Sequence, residues 1–270
     1  MAEVIVITGA SSGIGRALAL HYARAGVVLG LAGRDPERLE DICRACAARG
    51  AKVVSGLFDI RDRQAVRDWL LAFDDASPVT LLIANAGIAG GTQQDGGRED
   101  AALAAAQIEV NLQGVLNTVL PLLPRMAARG RGQVALMSSI AALVPLPDSM
   151  AYGASKAAVL YYGRALRQNL AGTGLRISVI CPGFVTSPMS ARYSGWKPLE
   201  MAAERAAGIV ARGLRRNRPV IAFPKALALA ARIGAVLPEG LRHAAMKPFG
   251  FTIARMPEKG PAAGETPPPA

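Results

Sequence analysis

Short runs rich in β-branched and aliphatic residues recur seven times in this chain, at 3–8, 27–32, 51–58, 79–84, 132–138, 176–181 and 220–223, with helix-compatible segments between them. That alternation leaves few folds open. A connection long enough to hold a helix returns the chain parallel to the strand it left, and right-handed crossovers place the helices on both faces of one sheet. The expected architecture is therefore α/β: a single doubly wound (Rossmann) domain over residues 1–224 with a seven-stranded parallel sheet. Repeated units of this kind can take up 270 residues without a second domain, and an apolar content of 51% can fill one large core.

Ligands of doubly wound sheets bind at the carboxyl edge of the strands, so the residues just past each strand matter most. After the first strand come Gly9-Ala10-Ser11-Ser12-Gly13-Ile14-Gly15, and a helix-like segment follows. Glycines let the backbone approach a diphosphate, and the helix N-terminus offers it free N–H groups and a positive dipole end. The second strand ends at Gly33-Arg34-Asp35. An acidic residue there would bind the adenosine ribose of NAD, whereas Arg34 suits a 2′-phosphate, so NADP(H) is the expected cofactor. A solvated loop cation is the plainer alternative for Arg34, and Asp35 reads as an N-cap with Pro36 at the first helical position. The third strand ends at Asp59-Ile60 and the fourth at Asn85-Ala86-Gly87. Asp59 reads either as part of the ligand edge or as the cap of a helix starting near Arg61. Asn111 lies inside the helical region 101–129, where an interior asparagine marks a kink or a polar contact.

The fifth strand runs into Ser138-Ser139, and thirteen residues on lies Tyr152-Gly153-Ala154-Ser155-Lys156. On a helix, positions four apart share a face, so a phenol and an ammonium stand side by side. A nearby cation favours phenolate and lowers a tyrosine's usual pKa of about 10, which makes Tyr152 a usable proton carrier and leaves Ser139 to hold the same carbonyl oxygen. Tyr193 and Lys197 repeat the spacing by chance, among Ser, Gly, Trp and Pro that read as loop. The apolar stretch 140–151 suits the wall of an apolar substrate site. The turn-rich 184–198, with Met189, Tyr193 and Trp196, reads as a mobile lid. Residues 90–97 read as a flexible loop, and a helix is expected from about Leu199 to Arg216.

Cys43 and Cys46 fall mid-helix with no second pair to complete a zinc site, so no metal and no redox role is expected. The net charge of +11 concentrates in 205–259, with eleven Arg and Lys against Glu239 and Glu258. Helix-like runs at 224–237 and 238–246 make a C-terminal helical extension, taken to residue 256. It either covers the substrate opening or a neighbouring subunit, or rests through 225–247 on an anionic membrane surface. The Pro-, Gly- and Ala-rich 257–270 reads as a disordered tail. The chain enters its first strand without a signal sequence, and no apolar run approaches the ~18 residues that span a bilayer. A cytoplasmic protein is expected, with a peripheral place at the membrane's inner face as the alternative and no nucleic-acid partner.

Taken together, Thr8-Gly9-x-x-x-Gly13-Ile14-Gly15, Asn85-Ala86-Gly87, Asn111, Ser139, Tyr152-x-x-x-Lys156 and Pro182-Gly183 resemble the short-chain dehydrogenase/reductase family over about residues 3–224. The resemblance implies a tetrad. In it Tyr152 is the acid or base, Ser139 orients the substrate, Lys156 lowers the phenol pKa and holds the nicotinamide ribose, and Asn111 holds a relay water. It also implies contacts from Asp59 and Ile60 to adenine and from Val185 and Thr186 to the nicotinamide carboxamide, and a dimer or tetramer built through the helices bearing Asn111 and Tyr152. Ala84 stands where many members have a further Asn, and Ser12 where some NADP users carry a basic residue. The implied activity is NADP(H)-dependent reduction of an apolar carbonyl or oxidation of the matching alcohol. A sugar-nucleotide epimerase fits the glycine spacing less well, and a cofactor-binding regulatory or scaffold protein would not need the tetrad.

Overall fold

The computed structural model describes residues 3–92, 98–246, 250 and 252–254, without the side chains of 243–246. The expected tail at 257–270, most of the loop at 90–97, and Lys247, Arg255 and Lys259 of the basic segment lie outside the described residues. Along the chain the strands are β1 (Glu3–Thr8), β2 (Val27–Gly33), β3 (Lys52–Leu57), β4 (Leu81–Ala84), β5 (Gly132–Met137), β6 (Leu175–Pro182), β7 (Tyr193–Ser194), β8 (Val220–Phe223) and β9 (Thr252–Ile253). Seven of them form one parallel sheet in the order β3-β2-β1-β4-β5-β6-β8, while β7 and β9 pair antiparallel as a separate ribbon. The order reverses between β1 and β4, and the strand ends diverge there into a crevice.

Helices α1 (Gly13–Tyr22), α2 (Pro36–Ala47) and α8 (Ala203–Arg215) cover one face; α3 (Arg63–Ala76), α5 (Gly114–Val119), α6 (Leu123–Ala128) and α7 (Met150–Asn169) cover the other. Alternate side chains of β1 are divided between them: Ile5 and Ile7 join Leu18, Ile42 and Val210, whereas Val4 and Val6 join Leu70, Val115 and Val159. Burial on both faces is why these strands read as continuous apolar runs, each large side chain contributing about 1.5–3 kcal/mol. Gly163 lets α7 sit close on the sheet, since a Cβ there would lie 2.4 Å from Val179 Cγ2 and 2.7 Å from Leu136 Cδ1.

Three local expectations give way to the structure. The region 101–129 is broken into α4 (Ala101–Ile108), a π-helical turn at Glu109–Gln113 that contains Asn111, then α5 and α6. Pro124 sits in the first turn of α6, where a missing N–H costs nothing. Helix α8 starts at Ala203 and not at Leu199, because Leu199 holds a left-handed φ of 55° and Met201 is laced to the preceding segment, donating to Phe184 O and accepting from Thr186 N. The N-cap of α3 is Asp62, which accepts from the N–H groups of Gln64 and Ala65; the carboxylate of Asp59 is taken instead by Arg61.

Beyond β8 lie α9 (Lys225–Val236) and α10 (Glu239–Met246). Helix α9 rests on a small cluster of its own, where Ala228 and Ala231 meet Ile140 and Val144. Its outward residues Leu229 and Val236 are exposed.

Candidate active site

The ends of β1 and β4 are stitched together by polar groups. Thr8 Oγ1 accepts from the N–H groups of Asn85 (3.1 Å) and Ala86 (3.2 Å), and Asn85 Nδ2 donates to the carbonyls of Thr8 (2.9 Å) and Gly9 (3.1 Å). Gly9 and Gly13 turn the chain through left-handed φ values of 64° and 52°, which glycine adopts without strain. Gly15 brings α1 against this turn. At the start of α1, Ser12 is an extended N-cap whose side chain makes no capping bond, and the first turn holds no acidic residue. Its free N–H groups therefore border the crevice with Gly9, Gly13, Ile14 and Gly15. Bare amides, a positive dipole end and no carboxylate fit a diphosphate.

Across the crevice, β5 runs into Ser139, whose hydroxyl accepts from Ala141 N (3.1 Å) and donates to Pro182 O (3.4 Å). Tyr152, in the first turn of α7, lies close enough to Ser139 for that hydroxyl to favour its phenolate. Lys156 lies one turn on, buried, its Nζ 5.7 Å from the centre of the Tyr152 ring and donating to Met137 O at 3.1 Å. The hydroxyl of Ser138 donates to Lys156 O, which pins α7 to the end of β5. Asn111 is buried behind Gly87. Its Oδ1 accepts from Ile88 N, and its Nδ2 donates to Ile88 O and Ser155 Oγ, while Ser155 in turn donates to Tyr152 O.

The electrostatics differ from the sequence expectation in one respect. Burial pushes the Tyr152 phenol up, the Ser139 hydroxyl opposes this, and Lys156 is not among the groups that shift it. The ammonium lies 5.7 Å from the ring centre, and burial pulls Lys156 itself down to about 8. A lysine whose folded pKa is depressed destabilises the fold below that pKa and is relieved as pH rises towards 10.5. Wild type should therefore gain about 2 kcal/mol over Lys156→Met between pH 8 and 10. Urea midpoints of the two proteins across that window measure it, and parallel curves would mean that Lys156 is not desolvated.

A cavity of about 600 Å³ joins the two sides. Of the residues singled out in the sequence, Gly9, Ser12, Gly13, Ile14, Gly15, Asn85, Ala86, Gly87, Ser139, Tyr152, Lys156, Pro182, Gly183 and Val185 line it. Ser11 lines a neighbouring cleft with Arg16 and Arg38. Arg16 is paired with Asp41 and Arg38 with Asp35, whereas Arg34 is exposed and makes no side-chain hydrogen bond or ion pair with a described residue. Asp59 and Ile60 sit past β3; the Arg61 bond holds the Asp59 carboxyl below its usual range, and Ile60 is packed into the core. Thr186 is exposed outside the cavity, its N–H taken by Met201 O.

Ala141, Val144, Leu146, Met189 and Trp196 line the apolar part, while Leu143 packs into the core instead. Tyr193 is no chance echo in a loop: β7 pairs it with Ile253, it lines the cavity close to Tyr152, it bonds to Ser149, and burial raises its phenol strongly. Sequence reading set Tyr193 in a lid over the substrate and the C-terminal helices over its opening, but singled out neither Ser149 nor the α9 row and Arg242 as lining residues. The row was legible as one apolar helix face; the others carried no local signal.

The short chain dehydrogenase family model matches residues 3–198. An uncharacterized oxidoreductase of Myxococcus xanthus is 35% identical over 243 residues, covering 90% of this chain and 95% of the relative. Among solved structures, a short-chain dehydrogenase from Sphingobium yanoikuyae in complex with NADPH superposes with a TM-score of 0.75 at 26% identity, over 91% of this chain and 95% of the other. One from Burkholderia phymatum in complex with NAD gives 0.78 at 26%, over 91% and 94%.

Proposed function

The chain belongs to the short-chain dehydrogenase family, and from that premise we propose that it moves a hydride between NADP(H) and the carbonyl or secondary alcohol of an apolar substrate. The observation that carries this reading is that Ser139, Tyr152 and Lys156 meet on the wall of the same cavity that the glycine turn borders. The glycine turn and the α1 N-terminus would hold the diphosphate, Asn85 to Gly87 and Lys156 the nicotinamide half, Val185 the carboxamide, and Arg34 the 2′-phosphate. Bound there, the cofactor supplies or accepts the hydride.

Ser139 holds the substrate oxygen, and Tyr152 gives it a proton in reduction or takes one in oxidation. A phenol raised above its ordinary pKa is protonated at neutral pH, which suits the acid of a reduction. Lys156, with a pKa of about 8, is mostly cationic at neutral pH and stabilises the phenolate that remains. The Asn111–Ser155–Tyr152 bonds position this end of α7, and Asn111 is the proposed holder of a relay water. Consumption of NADPH against a panel of ketones and aldehydes tests the reading; faster turnover of a polyhydroxylated ketone than of a long-chain or ring ketone would remove its apolar half.

NADP preference is supported by Arg34, an exposed cation just past β2 that makes no side-chain hydrogen bond or ion pair with a described residue and interacts with Asp59 only through its charge. Arg34→Ala should weaken NADPH binding roughly tenfold or more and NADH binding little. Equal losses for both, by fluorescence titration, would make Arg34 structural. Self-association through the helices bearing Asn111 and Tyr152, and peripheral contact of 225–247, where Leu229 and Val236 are exposed on α9, with an anionic membrane, complete the proposal. Among the described residues no helix is long and apolar enough to cross a membrane. Sedimentation with and without anionic liposomes at low salt tests both, and a monomer left in the supernatant would rule both out.

A further inference from the structure

The cavity holds a cation that the proposed chemistry does not use. Helix α9 turns one face inward, and Leu227, Ala230, Ala231, Ile233 and Gly234, followed by Leu237, line the cavity. Leu227 marks the reactive end: a Cβ on Gly183 would lie 3.1 Å from its Cδ2, and Gly183 follows Pro182, whose carbonyl accepts from Ser139. Ten residues of rise place Leu237 about 15 Å farther along. Just beyond, Arg242 of α10 lines the same cavity, half-buried. Its side chain makes no hydrogen bond or ion pair with a described residue. Among the described residues no Asp or Glu lines the cavity, and Lys156, the other described cation on its walls, is at the reactive end and donates to Met137 O.

We propose that Arg242 recognises a terminal anion, a carboxylate or a phosphate, on a substrate whose apolar body spans about 15 Å from the reacting carbonyl. As a substrate contact it rests on the reductase reading. A guanidinium is weakly hydrated and matches the fork of either anion, and apolar surroundings strengthen the pairing by excluding water. A neutral substrate of the same length leaves this cation to water alone. The bland alternative is an arginine that lays its stem on the apolar wall and reaches for solvent.

Three substrates of one chain length decide between them: a medium-chain ω-oxo carboxylate, its methyl ester and the ω-oxo alkyl phosphate, each assayed with NADPH. Wild type should show a KM roughly tenfold lower for an anionic compound than for the ester at low ionic strength. Whether the carboxylate or the phosphate gains more identifies the anion. Arg242→Gln should bring that ratio to about one through KM, and Arg242→Lys should keep most of it. Equal KM values in wild type, or a ratio that Arg242→Gln leaves in place, would overturn the proposal. If none of the three is turned over, the reductase reading fails, and quenching of Trp196 at the cavity still decides the anion site. Tighter binding of decanoate than of decanol, lost in Arg242→Gln, supports it; equal binding overturns it.

Discussion

Tyr152→Phe lowers turnover by about 10²- to 10⁴-fold while NADPH still binds, because the change removes one oxygen and leaves the ring against Lys156. That range is the usual worth of a positioned general acid, roughly 3–5 kcal/mol of transition-state stabilisation. The companion variant is Tyr193→Phe. Its phenol lies in the same cavity but bonds to Ser149, not Ser139, so the loss should stay within about tenfold. Single-turnover rates with saturating NADPH separate the two, and comparable losses would move the acid from Tyr152 to the pair. A Tyr152→Phe enzyme that keeps its rate would refute the assignment.

The second large effect is expected at Gly15. A methyl group there would lie 2.2 Å from Gly9 O and 2.5 Å from Asn85 Nδ2, and the two atoms already hydrogen-bond each other at 3.1 Å. Neither can yield without parting β1 from β4 at the crevice. Gly15→Ala should therefore weaken NADPH binding about 100-fold, the equivalent of roughly 3 kcal/mol of overpacking directed at the cradle. Titration of NADPH fluorescence, with circular dichroism to establish that the sheet is intact, measures it. Native affinity in a folded variant would mean that the glycine turn is not where the diphosphate sits.

The strands were legible because both faces of the sheet are buried, so runs such as Val4 to Ile7 show no polar alternation and stop at glycines. The glycine turn, Asn85 to Gly87, Ser139 and Tyr152 to Lys156 were legible because each is a local pattern at a strand end or on one helix. What escaped depends on distant partners. Tyr193 is fixed by β9, far along the chain, and no local composition announces that pairing. The shift of α8 to Ala203 follows from the link between Met201 and the 184–186 segment, another long-range bond. The oddity of Asn111 was visible, but the π-turn that accommodates it was not. The direction of the Tyr152 shift also escaped, since i to i+4 spacing brings Lys156 near the ring but says nothing of the burial that raises the phenol.

Helix α9 gains a different meaning from the cluster it rests on. Its buried contacts are the alanines 228 and 231 against Ile140 and Val144, separate from the two large cores that hold the sheet. Little apolar surface binds it there, so local opening of α9 costs far less than global unfolding, and its amides should exchange with solvent well before those of β1 or β4. The molecule is then two cooperative units of unequal strength: a rigid one that carries the glycine turn and the Tyr152 phenol, and a looser one that forms the apolar wall. Admission of a bulky substrate requires only the looser unit to yield.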